Sequence, residues 1–518
     1  MTVVVGPRVV ELGQGQNSID DIVAVAAGSP VAIAPAALDR VERTSALIGT
    51  TIARGEAVYG LTTGVGDQYS AAVDPASIAS TQLGMLRSHA SGLGAPHDEP
   101  AVRAIMATML AALAQGRSGV GVALVQRLAA MLNRGVTPWA PSQGSVGYLT
   151  ATAHIGLVLF GRGRAWYGGQ LLDGAEALRR AGLDVVEPGP REGHALISGT
   201  YEITGIGALA AHAARALIDV ADVAGALSLE ALRGNQRGFD PRVQVMRPHP
   251  GQVATAARLR ALLEGSEILA ANRDHRLQDA LSLRSIPQVH GAVRDALAYV
   301  EGVIEIEINA VTDNPVFMIE DEELVALPNG NGHGAPTALA LDVLAIAIAE
   351  LSTMSQARSD RLTNQHLSEL PAFLVPDGSA ASGFMIPPYA AAAIAAENRA
   401  LAAPATVHTV STSAGQEDHV SMGTTAAIQA RTAAHNATGI LAIELLCATQ
   451  AADFHAPLRP GAGTRAAHAV IRRAVAFRDS DREMAPDIEA VRVLIADGAL
   501  AGEVARALAE NQDQGRPL

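Results

Sequence analysis

The chain has 518 residues, of which 49% are hydrophobic and 3% aromatic, with a formal net charge of −14. That apolar fraction, with no period-three glycine, excludes collagen-like and disordered classes, and an acidic chain without a basic run argues against a nucleic-acid partner. All 38 basic residues are arginine, so no lysine is available for a Schiff base or as a general base.

Cys447 is the only cysteine, which leaves no disulfide framework and no CxxC metal site and fits a reducing cytoplasm. The opening MTVVVGPRVVELGQGQ is unlike a signal peptide, with its early proline and acidic residue. No run of about 18 apolar residues escapes charge or glycine. The most apolar window, ALALDVLAIAIAEL at 338–351, holds Asp342 and Glu350. The expectation is a cytoplasmic protein with no membrane partner.

In chain order, short apolar runs lead into a helical pattern from Pro35 to Arg54, then a glycine-rich loop at 59–66 and a helix carrying QLGMLRSHASG. Alanine-rich helices are expected over 98–116 and 120–134. The segment 203–233 keeps helix-period apolar positions throughout, and comparable segments occupy 251–271, 288–310, 335–358, 386–403, 422–452 and 463–478. Strand signals are few and short, and βα alternation is absent. The fold class is mainly α, with long helices forming a bundle. Residues 1–200 are read as an N-terminal domain, 201–480 as a central long-helix domain, and 481–518 as a C-terminal helix with a frayed tail.

Four segments could carry chemistry. Tyr59-Gly60-Leu61-Thr62-Thr63-Gly64-Val65-Gly66 offers a tyrosine general base on a loop able to bend tightly, although a tyrosine beside glycines is more often structural. Ser88-His89 ends a helix, where histidine usually caps or packs. Arg284, in QDALSLR, needs an anionic partner, which a substrate carboxylate or an internal acid could supply. Gln416-Glu417-Asp418-His419 precedes a long helix and, alone, reads as a capping region. None has a metal-ligand spacing, so no metal is expected.

Together these segments resemble the histidine and aromatic amino-acid ammonia-lyase family. The similarity covers nearly the whole chain through YGLTTGVG, LRSHASGLG, GSVG, EGHALISGT, QDALSLRSIPQVHGA, TDNPV, LSELPAFLVPDGSAASGFMI, AAENRALAAPA and QEDHVSMG. The resemblance implies an ammonia-lyase/fumarase-like helical fold, a homotetramer, and active sites combining residues of more than one subunit. It assigns removal of the β-proton to Tyr59, carboxylate binding to Arg284, and imidazole binding to His89 and Glu417, with Gln416 beside them. These last residues favour the histidine-specific branch and a small amino-acid or betaine substrate.

One segment departs from the family. Members continue GSVG with Ala-Ser-Gly, which cyclises into the electrophile methylidene-imidazolone (MIO), and then with Asp-Leu. Here Gly147 is followed at once by Tyr148-Leu149, three residues short. Nearby substrate-binding positions differ as well: Tyr148 stands for aspartate, Ser198 for asparagine, Leu281 for tyrosine, Gly332 for phenylalanine and Ala335 for an acid. These changes give the expectation of an enzyme with no MIO cofactor. A quaternary ammonium cannot lose a proton and leaves as a neutral tertiary amine, so the electrophile would be unnecessary. The reading that follows, by resemblance to ergothionase, is release of trimethylamine from a histidine betaine, hercynine or ergothioneine, giving a urocanate-type acrylate. Smaller side chains at 198, 281 and 332 would leave room for three methyls. The alternatives are a conventional MIO-dependent histidine ammonia-lyase or aminomutase whose Ala-Ser-Gly is missing from the recorded sequence, another good leaving group, and an inactive imidazole-binding homologue.

Overall fold

A computed structural model describes residues 8–376 and 380–514; the first seven residues, part of the PDGSAAS stretch and the last four residues lie outside it. Its centre is a set of long helices, Tyr201–Ala231, Ile286–Ile308, Ala335–Thr363 and Gly423–Asp453, with Pro387–Leu401 packed against the last two. The two longest have 31 residues each, so at 1.5 Å per residue they run for about 46 Å. Their apolar residues recur on every face, because neighbouring helices surround them. The stretches Glu192–Ala231 and Ala335–Thr363 are long and apolar enough to cross a membrane by composition alone, yet 67% and 72% of their most apolar windows are buried in the protein.

Alanine and glycine let these helices approach closely. A Cβ at Gly205 would lie 2.7 Å from the Ile105 backbone nitrogen, so the Glu99–Leu113 helix touches the Tyr201–Ala231 helix backbone to backbone. The expected 251–271 helix instead divides into Pro250–Leu262 and Glu267–Ala271. Gly265 takes φ +72° at the break, and the Ser266 hydroxyl caps the second piece by accepting from the Leu269 amide.

Buried charges tie the bundle together. Arg358 donates to both carboxylate oxygens of Glu444, at 2.5 and 3.0 Å, and also to the Ser282 carbonyl. His290 bonds Asp222 at 2.8 Å beside them. Strands are peripheral: a parallel pair Val10–Leu12/Val31–Ile33, a small antiparallel sheet spanning residues 137–173, and the hairpin Val316–Glu320/Glu323–Leu327. Loops and helix ends at one side of the bundle enclose the cavity described next.

Candidate active site

Seven of the residues singled out from the sequence, Tyr59, His89, Tyr148, Ser198, Gly332, Gln416 and Glu417, line one cavity of about 410 Å³. Arg284 and Leu281 do not line it. Both sit on the short Leu281–Arg284 helix with their side chains exposed, Leu281 at 63%.

Tyr59 is held by a tight turn in which the amides of Leu61 and Thr62 donate to the Val58 carbonyl, at 3.1 and 3.0 Å. Gly60 follows at φ +65°, and a Cβ there would lie 2.4 Å from His194 Nδ1, so position 60 needs glycine for both conformation and space. The Gly66 amide donates to the Tyr59 hydroxyl oxygen at 2.9 Å, which fixes where that oxygen sits.

His89 closes the Ile78–His89 helix, its Nδ1 bonded to the Met85 carbonyl at 2.8 Å. A carbonyl only accepts, so Nδ1 carries the proton and Nε2 of the neutral ring is left as an acceptor. Glu417 sits on a loop pinned by paired backbone bonds with Thr412, whose hydroxyl also donates to Glu417 Oε2 at 3.2 Å. Across from it, burial raises the pKa of the Tyr148 phenol, and the charge of Glu417 raises it further. Tyr148 therefore stays protonated, able to donate.

The segment before Tyr148 is stitched to the start of the Gly423–Asp453 helix. Met422 N–H donates to the Val146 carbonyl at 2.8 Å, and the Ser145 and Thr424 hydroxyls meet at 2.9 Å. Leu149 then takes φ 82°, ψ −53°, with Thr150 N–H donating to the Tyr148 carbonyl at 3.2 Å. This is a strained γ-turn on a non-glycine residue.

Sequence reasoning missed several lining residues. His333 stacks on His419, which the QEDH segment had offered, with ring centroids 5.2 Å apart. Asn314 uses its amide N–H to donate to Ser198 Oγ at 3.1 Å. His194, 5% exposed, stands edge-to-face with Tyr59 at 5.4 Å. The EGHALISGT block held His194 in plain view, but a histidine inside an apolar helical run reads as core. No cluster of three or more metal-ligating side chains occurs among the described residues.

A tyrosine, histidines and a carboxylate thus share one cavity beside a bundle of long helices, an arrangement compatible with lyase chemistry. The aromatic amino acid lyase family model matches residues 18–473, and the chain belongs to that family. Histidine ammonia-lyase of Gloeobacter violaceus is 47% identical over 489 residues, 93% of this chain and 95% of that protein. The crystal structure of histidine ammonia-lyase from Trypanosoma cruzi superposes with a TM-score of 0.90 at 36% identity, covering 96% of each chain. Ergothionase from Treponema denticola superposes at 0.88 with 28% identity, covering 95% of this chain and 99% of that one.

Two expectations are corrected by these findings. Relatives named histidine ammonia-lyase stand at 41–47% identity against 28% for ergothionase, which overturns trimethylamine release from a betaine and favours the conventional ammonia-lyase. The steric argument for three methyls falls with it, and Leu281 does not line this cavity in any case. The expectation of a site without a cofactor is overturned on the same ground, since MIO is the electrophile of the enzymes those relatives are named for. This chain's own residues do not fit that group. Between Gly144 and Thr150 stand Ser145, Val146, Gly147, Tyr148 and Leu149, with no Ala-Ser-Gly to cyclise, so no step is derived through it.

Proposed function

We propose that the cavity eliminates ammonia from L-histidine or a closely related imidazole-bearing amino acid. The observation that carries this reading is the convergence of Tyr59, His89 and Glu417 on one cavity. His89 Nε2 and the Glu417 carboxylate accept from the two N–H groups of the protonated substrate ring. The ring is thereby fixed with its β-carbon toward Tyr59. Tyr59 takes the β-proton, the C–H electrons become the Cα=Cβ bond, and the Cα–N bond breaks with its electron pair leaving on ammonia. Positioning of this kind is worth several orders of magnitude in rate, and proton transfer by a placed base about 10²–10⁴-fold more.

Arg284, exposed outside its own chain's cavity, binds the carboxylate in a neighbouring copy within a homotetramer, and Leu281 beside it contributes to the same neighbouring site. The cavity residues of this chain hold and deprotonate the substrate; none is an electrophile for the amine.

The test is incubation of purified protein with L-histidine, following acrylate absorbance and ammonia together, with peptide mass spectrometry across residues 144–154. Stoichiometric acrylate and ammonia support the reading. Silence with histidine at a mass matching the recorded sequence refutes it.

A further inference from the structure

We propose that His194 is a hydrogen-bond donor to the substrate carboxylate, with Arg191 placing the proton that it donates. The proposal rests on the amino-acid-lyase reading of the cavity.

Arg191 is fully buried and donates to His194 Nδ1. A guanidinium has no acceptor, so Nδ1 must be the unprotonated nitrogen and Nε2 carries the hydrogen. Arg191 is itself fixed by Asp313, at 3.0 Å, and by the Asn314 carbonyl, at 3.0 Å. His194 is also held through its backbone, whose amide donates to Gln82 Oε1 at 2.8 Å. Gln82 Nε2 in turn donates to the Gly60 carbonyl at 3.1 Å, beside Tyr59. The ring thus has one tautomer and one orientation. Burial, with Arg191 and then His89 nearby, holds its pKa well below the usual histidine range, so it remains neutral.

Nε2 makes no hydrogen bond among the described residues, yet it is not one of the sealed, unpaired buried atoms. The ring lines the Tyr59 cavity, so its free N–H opens there. The cavity lining holds both acceptors and donors. Glu417, Asp418 and His89 Nε2 offer acceptors, suited to ring N–H groups. The Asn314 amide oxygen accepts from Asn329 N–H at 2.9 Å, which leaves its NH₂ as a second donor on the lining. A donor backed by a buried arginine favours an anionic oxygen over a cationic amine. On a zwitterionic amino acid that oxygen is the carboxylate.

The test measures binding of 3-(imidazol-4-yl)propanoate, which has the ring and carboxylate, and of histamine, which has the ring without it. Wild type, His194→Phe and His194→Gln are titrated with each, and wild-type histidine turnover is followed separately. His194→Phe is expected to lose about tenfold or more in affinity for the acid, the worth of a hydrogen bond to a charged group. Histamine affinity should change less than about twofold, and Gln, whose amide reaches the Nε2 position, should recover most of the loss. Equal losses for both ligands would mean general damage and overturn the proposal, as would an unchanged acid affinity or failure of wild type to bind the acid. Failure of histidine turnover alone would strike the proposed function and leave the role of His194 standing.

Discussion

Replacing Gly60 with alanine tests the geometry that holds Tyr59. The new Cβ would lie 2.4 Å from His194 Nδ1, 2.7 Å from Cε1 and 2.8 Å from Cγ. Carbon contacts are comfortable near 3.5–4.0 Å, so something must move by about 1 Å. Two costs add. Holding a residue with a Cβ at φ +65° costs about 1–2 kcal/mol, and overpacking costs about 1–3 kcal/mol. The obstacle is not a flexible side-chain end, because His194 is pinned by Arg191 and Gln82. Either His194 leaves Arg191, or the loop carries Tyr59 away from the β-carbon. A misplacement of about 1 Å costs on the order of 10²-fold in rate. Denaturant titration is expected to show a loss of about 2–5 kcal/mol, and kcat for histidine should fall by about two orders of magnitude. Gly55→Ala is the control: φ is +70° there, with nothing within 4 Å of the added atom. It should lose about 1–2 kcal/mol and keep full activity. A Gly60→Ala protein as stable and as active as this control would refute the reasoning.

Tyr59→Phe should lower kcat by about 10²–10⁴-fold with an unchanged melting temperature, and near-wild-type turnover would remove Tyr59 as the base. Co-expressing Tyr59→Phe with Arg284→Ala should restore part of the activity that each lacks alone, because Arg284 stands outside its own chain's cavity; purified mixed tetramers with no recovery would place both in one chain's site. Burial raises the Glu230 carboxyl from its ordinary value of 4.5 to about 7. Its contribution to stability is therefore fully present below pH 4.5 and is lost as pH rises through about 7. At about 1.4 kcal/mol per pH unit that amounts to roughly 3 kcal/mol. Glu230→Gln should flatten this slope in urea titrations between those pH values, and an unchanged slope would refute the assignment. Glu444→Ala, which leaves Arg358 buried without its carboxylate, should cost about 3–5 kcal/mol by the same titration.

The long helices were legible because apolar residues run through their whole lengths with few turn signals to interrupt them. The 203–233 and 422–452 segments fall within two residues of the observed Tyr201–Ala231 and Gly423–Asp453. The break after Leu262 was not, since a glycine in a helical pattern does not announce whether the chain will turn there. In the site, Tyr59, His89 and Glu417 were each ambiguous alone and were singled out only by the family resemblance. His194 was not, because what separates it from a core histidine is Arg191 bonded to its ring, a contact between side chains that the sequence does not display. Nor does position along the chain reveal that Arg284 lies outside the cavity that Tyr59 lines. The activity was misjudged for a different reason. A three-residue gap and five altered neighbours outweighed the rest of the chain, although that remainder is 47% identical to a histidine ammonia-lyase.

The stitching around the GSVG loop makes the size of that loop a local matter. On one side Val146 is bonded to Met422, and a Cβ at Gly147 would lie 2.2 Å from Ser421 Oγ, so this edge cannot shift without disturbing the start of the Gly423–Asp453 helix. On the other side the chain is already helical at Thr150. Only Tyr148 and the contorted Leu149 lie between the two anchors. Any gain or loss of residues must be taken up there, like slack between two fixed pegs. The bundle would not register it. The cavity wall would, because how far the Tyr148 phenol reaches toward Glu417 is set by how much chain spans that gap.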